Sequence, residues 1–130
     1  MDNIIDIVIN MPDYIGSNGR IDEEIRQAEK ALGVSFAEDY RKYLAEIGLA
    51  CFDGHELTGI TQTNRLNVAS VTKEKREQFG NIVSSWYVIE ETNIFGIVIW
   101  QSSDGIIYES APNSTTKKIA SSLAEYIASC

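Results

Sequence analysis

Two amphipathic helical segments separated by a very short link constrain the fold of this chain more than any other feature. Apolar residues recur on one face of each segment, at Ile21, Ile25, Ala28 and Leu32 in the first and at Tyr40, Tyr43, Leu44 and Ile47 in the second. Gly33 and Gly48 follow these segments, and glycine ends helices because it adopts the left-handed conformation without steric cost. Helices joined by so few residues are expected to pack as an antiparallel pair.

Capping residues predict where the helices begin. Asp22 is expected to cap the first segment, and Ser35 with Glu38 has the spacing of a capping box for the second. Ser122 and Glu125 repeat that spacing near the end of the sequence and predict a closing helix. The inner face of that helix comprises Leu123, Tyr126 and Ile127.

After Gly48 the pattern changes to short strands. A brief strand is expected at residues 57–60, and residues 86–89 and 94–100 are almost wholly apolar, which is typical of central strands buried on both faces. The turn sequence at residues 102–105 returns the chain along a further strand, so the sheet should be an antiparallel meander.

Two further helices complete the prediction, one within the first ten residues and a weaker one at about residues 68–79. The order of elements predicts an α+β fold in one domain spanning residues 1–130. In this fold an N-terminal helix pair packs on a mainly antiparallel meander sheet, which a C-terminal helix closes. Six side chains are predicted to be buried: Ile25, Leu32, Tyr40, Leu44, Val88 and Ile99.

The charge of the chain excludes some partners. Eleven Lys and Arg residues against nineteen Asp and Glu residues give a formal net charge of −8. Such a chain is repelled by nucleic acids and by anionic membranes, so we expect it to bind neither directly. The opening residues carry acids where a secretory signal would be apolar, and no apolar run approaches a membrane span. We therefore expect a cytoplasmic protein.

The distribution of charge suggests a binding surface. Residues 43–64 and 77–116 contain no Lys or Arg, yet eight acids fall there, Glu46 and Glu77 among them. The other six are taken as candidates for a binding surface: Asp53, Glu56, Glu90, Glu91, Asp104 and Glu109. We predict that these acids face a basic protein partner, and simple solubility is the alternative explanation. Because Glu90 and Glu91 are adjacent on a predicted strand, they should point to opposite faces, so at least one of the six should not contribute.

Candidate catalytic or metal-binding residues centre on His55, the single histidine. Cys51, Asp53 and Glu56 lie close to it in sequence, but zinc ligands usually come as two separated pairs and no second pair is present. We expect a solvated loop, with no catalytic residue, metal or cofactor. Cys51 and Cys130 are expected to be free thiols in a reducing compartment. An enzyme centred on Cys51, Asp53 and His55 is the weaker alternative.

The helical pair carries a resemblance to a known family. Leu32-Gly33, the acidic Glu38, Tyr40 and the pair Tyr43-Leu44 follow an apolar and acidic helix, and this pattern resembles the opening motif of the SUKH superfamily. The downstream elements agree in order, so the resemblance extends from about residue 20 onward. The sequence departs from the family pattern at two structural positions. It has Phe36-Ala37 where the family has Leu-Pro, and Ile47-Gly48 where Asn-Gly is common.

This resemblance implies a role in binding. Bacterial SUKH proteins are typically immunity proteins that neutralise secreted polymorphic toxins, many of which attack nucleic acids, and a eukaryotic branch takes part in cell-wall assembly signalling. The resemblance thus implies a non-enzymatic antitoxin that binds a cognate toxin domain by stoichiometric contact. The alternative is a small-ligand-binding or regulatory scaffold domain, in which the sheet and the helix pair enclose a pocket.

Overall fold

The computed structural model describes residues 3–130, which form five α-helices and two antiparallel sheets. The helices are α1 (Ile4–Ile9), α2 (Asp22–Leu32), α3 (Glu38–Glu46), α4 (Val68–Gln78) and α5 (Leu123–Ala128). The strands are β1 (Ile15–Gly16), β2 (Ala50–Phe52), β3 (His55–Glu56), β4 (Tyr87–Glu91), β5 (Val98–Gln101), β6 (Ile107–Ser110) and β7 (Lys117–Ala120). The predicted α+β class and the closing helix are confirmed. Met1 and Asp2, part of the predicted first helix region, lie outside the described residues.

The larger sheet is the predicted meander. Strands β4 to β7 pair consecutively and antiparallel, and β1, β2 and β3 form a smaller three-stranded sheet. A single bridge between Leu57 and Glu90 connects the end of β3 to β4. The predicted strand at residues 57–60 is therefore wrong, since these residues form only isolated bridges, Leu57 with Glu90 and Gly59 with Asn67. In residues 3–130, every helix is too short or too polar to cross a membrane.

The start of α3 depends on distant partners rather than on the predicted capping box. Ala37 precedes the helix, and its N–H donates to the Tyr87 hydroxyl at 2.8 Å. The N–H of Phe36 donates to the Glu29 carboxylate, also at 2.8 Å. The prediction that Ser35 caps this helix is wrong, because the N-cap is Ala37, two residues further along, and no side chain caps the helix.

The other two predicted caps have different outcomes. Asp22 is the first residue within α2 and pairs with Arg26 at 2.9 Å, so the prediction that it caps the helix is wrong. Ser122 is the N-cap of α5 as predicted, and its hydroxyl accepts the N–H of Glu125 at 3.0 Å.

The main core lies between the helices and one face of the meander. Tyr40, Tyr43 and Leu44 of α3 are completely enclosed there. The ring of Phe36 packs edge-on against Tyr40 and Tyr87, with centroid distances of 5.1 and 4.8 Å, a favourable aromatic geometry. The six residues predicted to be buried are all at most 5% exposed, which confirms them as core residues. Ile21, predicted on the same face as Ile25, instead precedes α2 and is 66% exposed.

Helix α4 covers the other face of the meander. Val71 of this helix, together with Val88, Val98 and Trp100 of the sheet, forms a second apolar cluster. Strands β4 and β5 are therefore buried on both faces, as their apolar sequences predicted. The strand expected at residues 94–100 begins only at Val98, because the preceding residues form the turn between β4 and β5.

Candidate functional site

Glu90 was predicted to face a partner, but it lies in the interior with 3% of its surface exposed. Its Oε1 accepts a hydrogen bond from the Tyr126 hydroxyl at 2.5 Å. Its Oε2 lies 2.9 Å from Nδ1 of His55. The prediction for Glu90 is therefore wrong, since both carboxylate oxygens are engaged inside the protein.

A β-bulge explains this inward orientation. Val88 pairs with Trp100 and Glu90 pairs with Ile99, which leaves Ile89 as an extra residue in β4. An extra residue breaks the alternation of the strand. Ile89 joins the main core, and Glu90 reaches α5 on that same face. Glu91 then points to the other face, where α4 lies.

Three of the remaining acids pair with basic residues from other parts of the chain. Glu91 lies 3.0 Å from the buried Nζ of Lys75, and Glu109 lies 3.4 Å from Nζ of Lys117. Both carboxylate oxygens of Glu56 accept from the Arg65 guanidinium, at 2.8 and 2.9 Å. These hydrogen bonds hold the pKa of Glu56 below its ordinary value of 4.5.

The last two acids are exposed and lie in turns. Asp53 occupies the β2–β3 turn with a φ of 44°, a left-handed conformation that aspartate tolerates better than most residues. Asp104 lies in the β5–β6 turn, where it accepts the Ser102 hydroxyl. Asp104 also borders an open groove of about 680 Å³ with Glu38 and Lys42.

The six acids do not form one continuous surface. Only Glu56 and Glu91 meet, at a smaller cleft of about 230 Å³ that is called the charged cleft below. The charged cleft is lined by Glu56, Thr58, Arg65, Leu66, Glu74, Glu91 and Asn93. Its three carboxylates, those of Glu56, Glu74 and Glu91, are opposed by two cations. The Arg65 guanidinium pairs with Glu56, and Nζ of the buried Lys75 lies 3.0 Å from Glu91 and 3.8 Å from Glu74, so the cleft has one carboxylate in excess.

An exposed apolar turn adjoins the charged cleft. Ile94 and Phe95, called the apolar tip below, are 58% and 90% exposed at the end of the β4–β5 hairpin. Asn93 lines the cleft and immediately precedes Ile94 and Phe95 in the chain, so the tip and the cleft are adjacent on the protein surface. The sequence prediction missed the tip because it assigned these residues to a strand, although Asn93 and Gly96 on either side are turn-forming residues.

His55 is not in a solvated loop, contrary to the prediction. It belongs to β3, its side chain is about one-third exposed, and it contacts Glu90. In the β2–β3 register Phe52 lies opposite His55, and Cys51 lies opposite Glu56. Cys51 and His55 therefore project from opposite faces of the hairpin, which does not suit a nucleophile and its base. Among residues 3–130, no three His, Cys, Asp or Glu side chains are grouped to hold a metal ion.

The chain matches a family of known proteins. A model of the SUKH_5 family, described as SMI1-KNR4 cell-wall, matches residues 1–130. Because the match covers the entire sequence, the chain belongs to this family, and the resemblance seen in the helical pair is confirmed. No curated protein matches the chain.

Proposed function

We propose that this protein is a cytoplasmic immunity protein that binds and neutralises a cognate toxin domain by stoichiometric contact, without catalysis. The observation that carries this proposal is the SUKH family match over residues 1–130. Toxin binding is the typical role of bacterial members of the superfamily. We further propose that the toxin acts on nucleic acid, because a protein that grips phosphate presents a basic surface to an acidic inhibitor.

The surface chemistry supports binding rather than turnover. The single imidazole contacts a buried carboxylate, and the nearest cysteine in sequence lies on the opposite hairpin face. By contrast, an exposed aromatic side chain lies beside a cleft with three carboxylates. Aromatic anchors bordered by charged rims are typical of protein–protein interfaces.

The net charge also supports a basic partner. Internal ion pairs such as Glu56–Arg65 and Glu91–Lys75 remove local acidic patches, but they leave the total of −8 unchanged. That total repels nucleic acid and attracts a basic protein over distances comparable to the Debye length, about 8 Å at physiological salt. The attraction of a basic partner thus depends more on the net charge of the whole protein than on the six acids predicted from the sequence.

Coexpression with a candidate toxin tests the proposal. If sequencing of the flanking genes finds a large secreted protein, its C-terminal domain is the candidate, produced with and without the immunity protein. We expect growth rescue and a 1:1 complex in size-exclusion chromatography with light scattering. Growth arrest that continues despite abundant, folded immunity protein, with no complex formed, would contradict the proposal.

The open groove favours the alternative of a ligand-binding domain. Its volume of about 680 Å³ lies within the range of small-molecule sites, and Lys42 with Ser122 offers polar contacts there. If this alternative holds, a small metabolite should raise the melting temperature of the wild type and not that of a Lys42→Ala variant. Growth rescue by a Lys42→Ala variant would show that the groove is dispensable for toxin neutralisation.

A further inference from the structure

Phe95 contributes exposed apolar surface without contributing to the core. It is 90% exposed, the largest value among the exposed large apolar residues of the described chain. Its φ of 52° places it in the left-handed region, which is rare for a bulky side chain and energetically unfavourable. Because the exposed ring and the unfavourable backbone conformation of Phe95 do not stabilise the fold, we look for their role in binding.

The backbone around Phe95 is preorganised by local hydrogen bonds. The Thr92 hydroxyl donates to the carbonyl of Ile97 at 2.8 Å and accepts the N–H of Ile94 at 3.2 Å. The N–H of Ile97 donates to the carbonyl of Ile94 at 3.0 Å. Gly96, with a φ of 72°, lies so close to Pro112 that a β-carbon there would approach the ring to 2.9 Å. A hairpin held in this way presents Phe95 with little entropy left to lose on binding.

We infer that the apolar tip is the anchor by which this protein engages its toxin: Phe95 enters an apolar pocket that Lys or Arg side chains border. The inference rests on the proposed function and names the contact surface. The basic border follows from charge complementarity with the net charge of −8 and with Glu74, which lines the charged cleft beside Asn93 and is 70% exposed. Glu91 contributes less, because it is paired with the buried Lys75. The net negative charge repels anionic lipid, which disfavours insertion of the tip into a membrane.

Binding kinetics with the toxin domain of the proposed function test this inference. We expect Phe95→Asn to lose at least about 30-fold in affinity, mainly through faster dissociation, as a central aromatic anchor does. Its melting temperature should equal or exceed that of the wild type, because asparagine tolerates the left-handed conformation. Ile15→Ala, which alters another apolar side chain that is 68% exposed, is the matched control and should bind like the wild type.

Charge reversal tests the basic border separately. Glu74 is 70% exposed at the charged cleft, so Glu74→Lys should slow association several-fold at low salt, with a smaller effect at high salt. Asp104→Lys changes the same charge at the opposite end of β5 and should have a smaller effect. If the two charge reversals slow association equally, the idea of basic residues around the pocket is overturned, because the net charge alone then explains the effect.

Each failure has its own signature. If the wild type binds the toxin and Phe95→Asn binds equally well, the inference is overturned while the proposed function stands. If the folded wild type does not bind the toxin, both are overturned. Self-association of the wild type alone, abolished by Phe95→Asn in sedimentation velocity, would assign the tip to a second copy instead. Flotation of the wild type with phosphatidylcholine vesicles, lost in the same variant, would assign it to a lipid surface.

Discussion

The Tyr126 hydroxyl lies 2.5 Å from Oε1 of the buried Glu90 carboxylate, and this hydrogen bond fastens α5 to β4. Because His55 contacts the other carboxylate oxygen, one side chain connects β3, β4 and α5. Burial, and then the negative charge of Glu90, raise the pKa of Tyr126 well above its usual value, so the hydroxyl stays protonated and donates. One of the six acids predicted to face a partner thus makes a structural contact instead.

Removing the Tyr126 hydroxyl should destabilise the protein. We expect Tyr126→Phe to lower the free energy of unfolding by about 1 to 3 kcal/mol, because it leaves a buried carboxylate oxygen without its donor. Urea denaturation followed by fluorescence measures the change. Tyr14→Phe is the matched control, since the Tyr14 hydroxyl makes no hydrogen bond to residues 3–130. Equal stabilities of the two variants would show that the contact contributes nothing.

The contact between Ala37 and Tyr87 should control the start of α3. We expect Tyr87→Phe to cost about 1 to 3 kcal/mol and to speed hydrogen exchange at the Ala37 amide, because the buried N–H loses its acceptor. Ser35→Ala should change stability by less than about 0.5 kcal/mol, since Ser35 is exposed and does not cap the helix. A larger loss in Ser35→Ala than in Tyr87→Phe would restore the predicted capping box.

Leu44 tests the packing of the helix pair. Its side chain is fully buried in the main core, so Leu44→Ala should lower the free energy of unfolding by about 2 to 5 kcal/mol through lost burial and cavity formation. Exposed Ile21, the residue before α2, provides a control, because Ile21→Ala should change stability by less than about 0.5 kcal/mol. A loss below about 1 kcal/mol in Leu44→Ala would contradict the core described above.

The Glu56–Arg65 pair predicts a pH dependence. Arg65 lowers the folded-state pKa of Glu56. The ionised Glu56 carboxylate therefore stabilises the folded protein fully at pH values above the unfolded-state pKa. That contribution is lost as the pH falls through the lowered value. In Arg65→Ala the pKa should rise toward 4.5, as measured by NMR titration of the Glu56 side chain. The effect on stability should be small, because both side chains are substantially exposed and solvent screens the pair. An unchanged pKa in Arg65→Ala would mean that the pair does not form in solution.

The sequence predicted well the elements whose signals are local. The inner faces of α2 and α3, the glycine that ends α2, and the Ser122 cap all depend on residues within about one helical turn of each other. The apolar strands were also recognised, because burial on both faces leaves few polar positions. The start of the strand at residue 98 was missed, since Ile94 and Phe95 have the composition of a strand but the backbone of a turn.

The candidate surface was predicted less well, because it depends on how distant segments meet. The segments without Lys or Arg appeared acidic, yet Arg65, Lys75 and Lys117 reach their carboxylates from other elements. The charged cleft next to the apolar tip is also a product of this assembly, since its lining comes from β3, β4, α4 and the loop before α4.

The sequence by itself determined the amphipathic helix pair, the apolar strands, the net charge and the family. Each of these depends only on the spacing of nearby residues or on composition. Only the tertiary structure decided that Glu90 is buried, that α3 begins at a contact with Tyr87, and that Phe95 is exposed. The physical reason is the separation of the partners along the chain. A bulge in β4 changes which face Glu90 occupies, and a tyrosine 50 residues away supplies the acceptor for Ala37. Local periodicity contains no information about either contact.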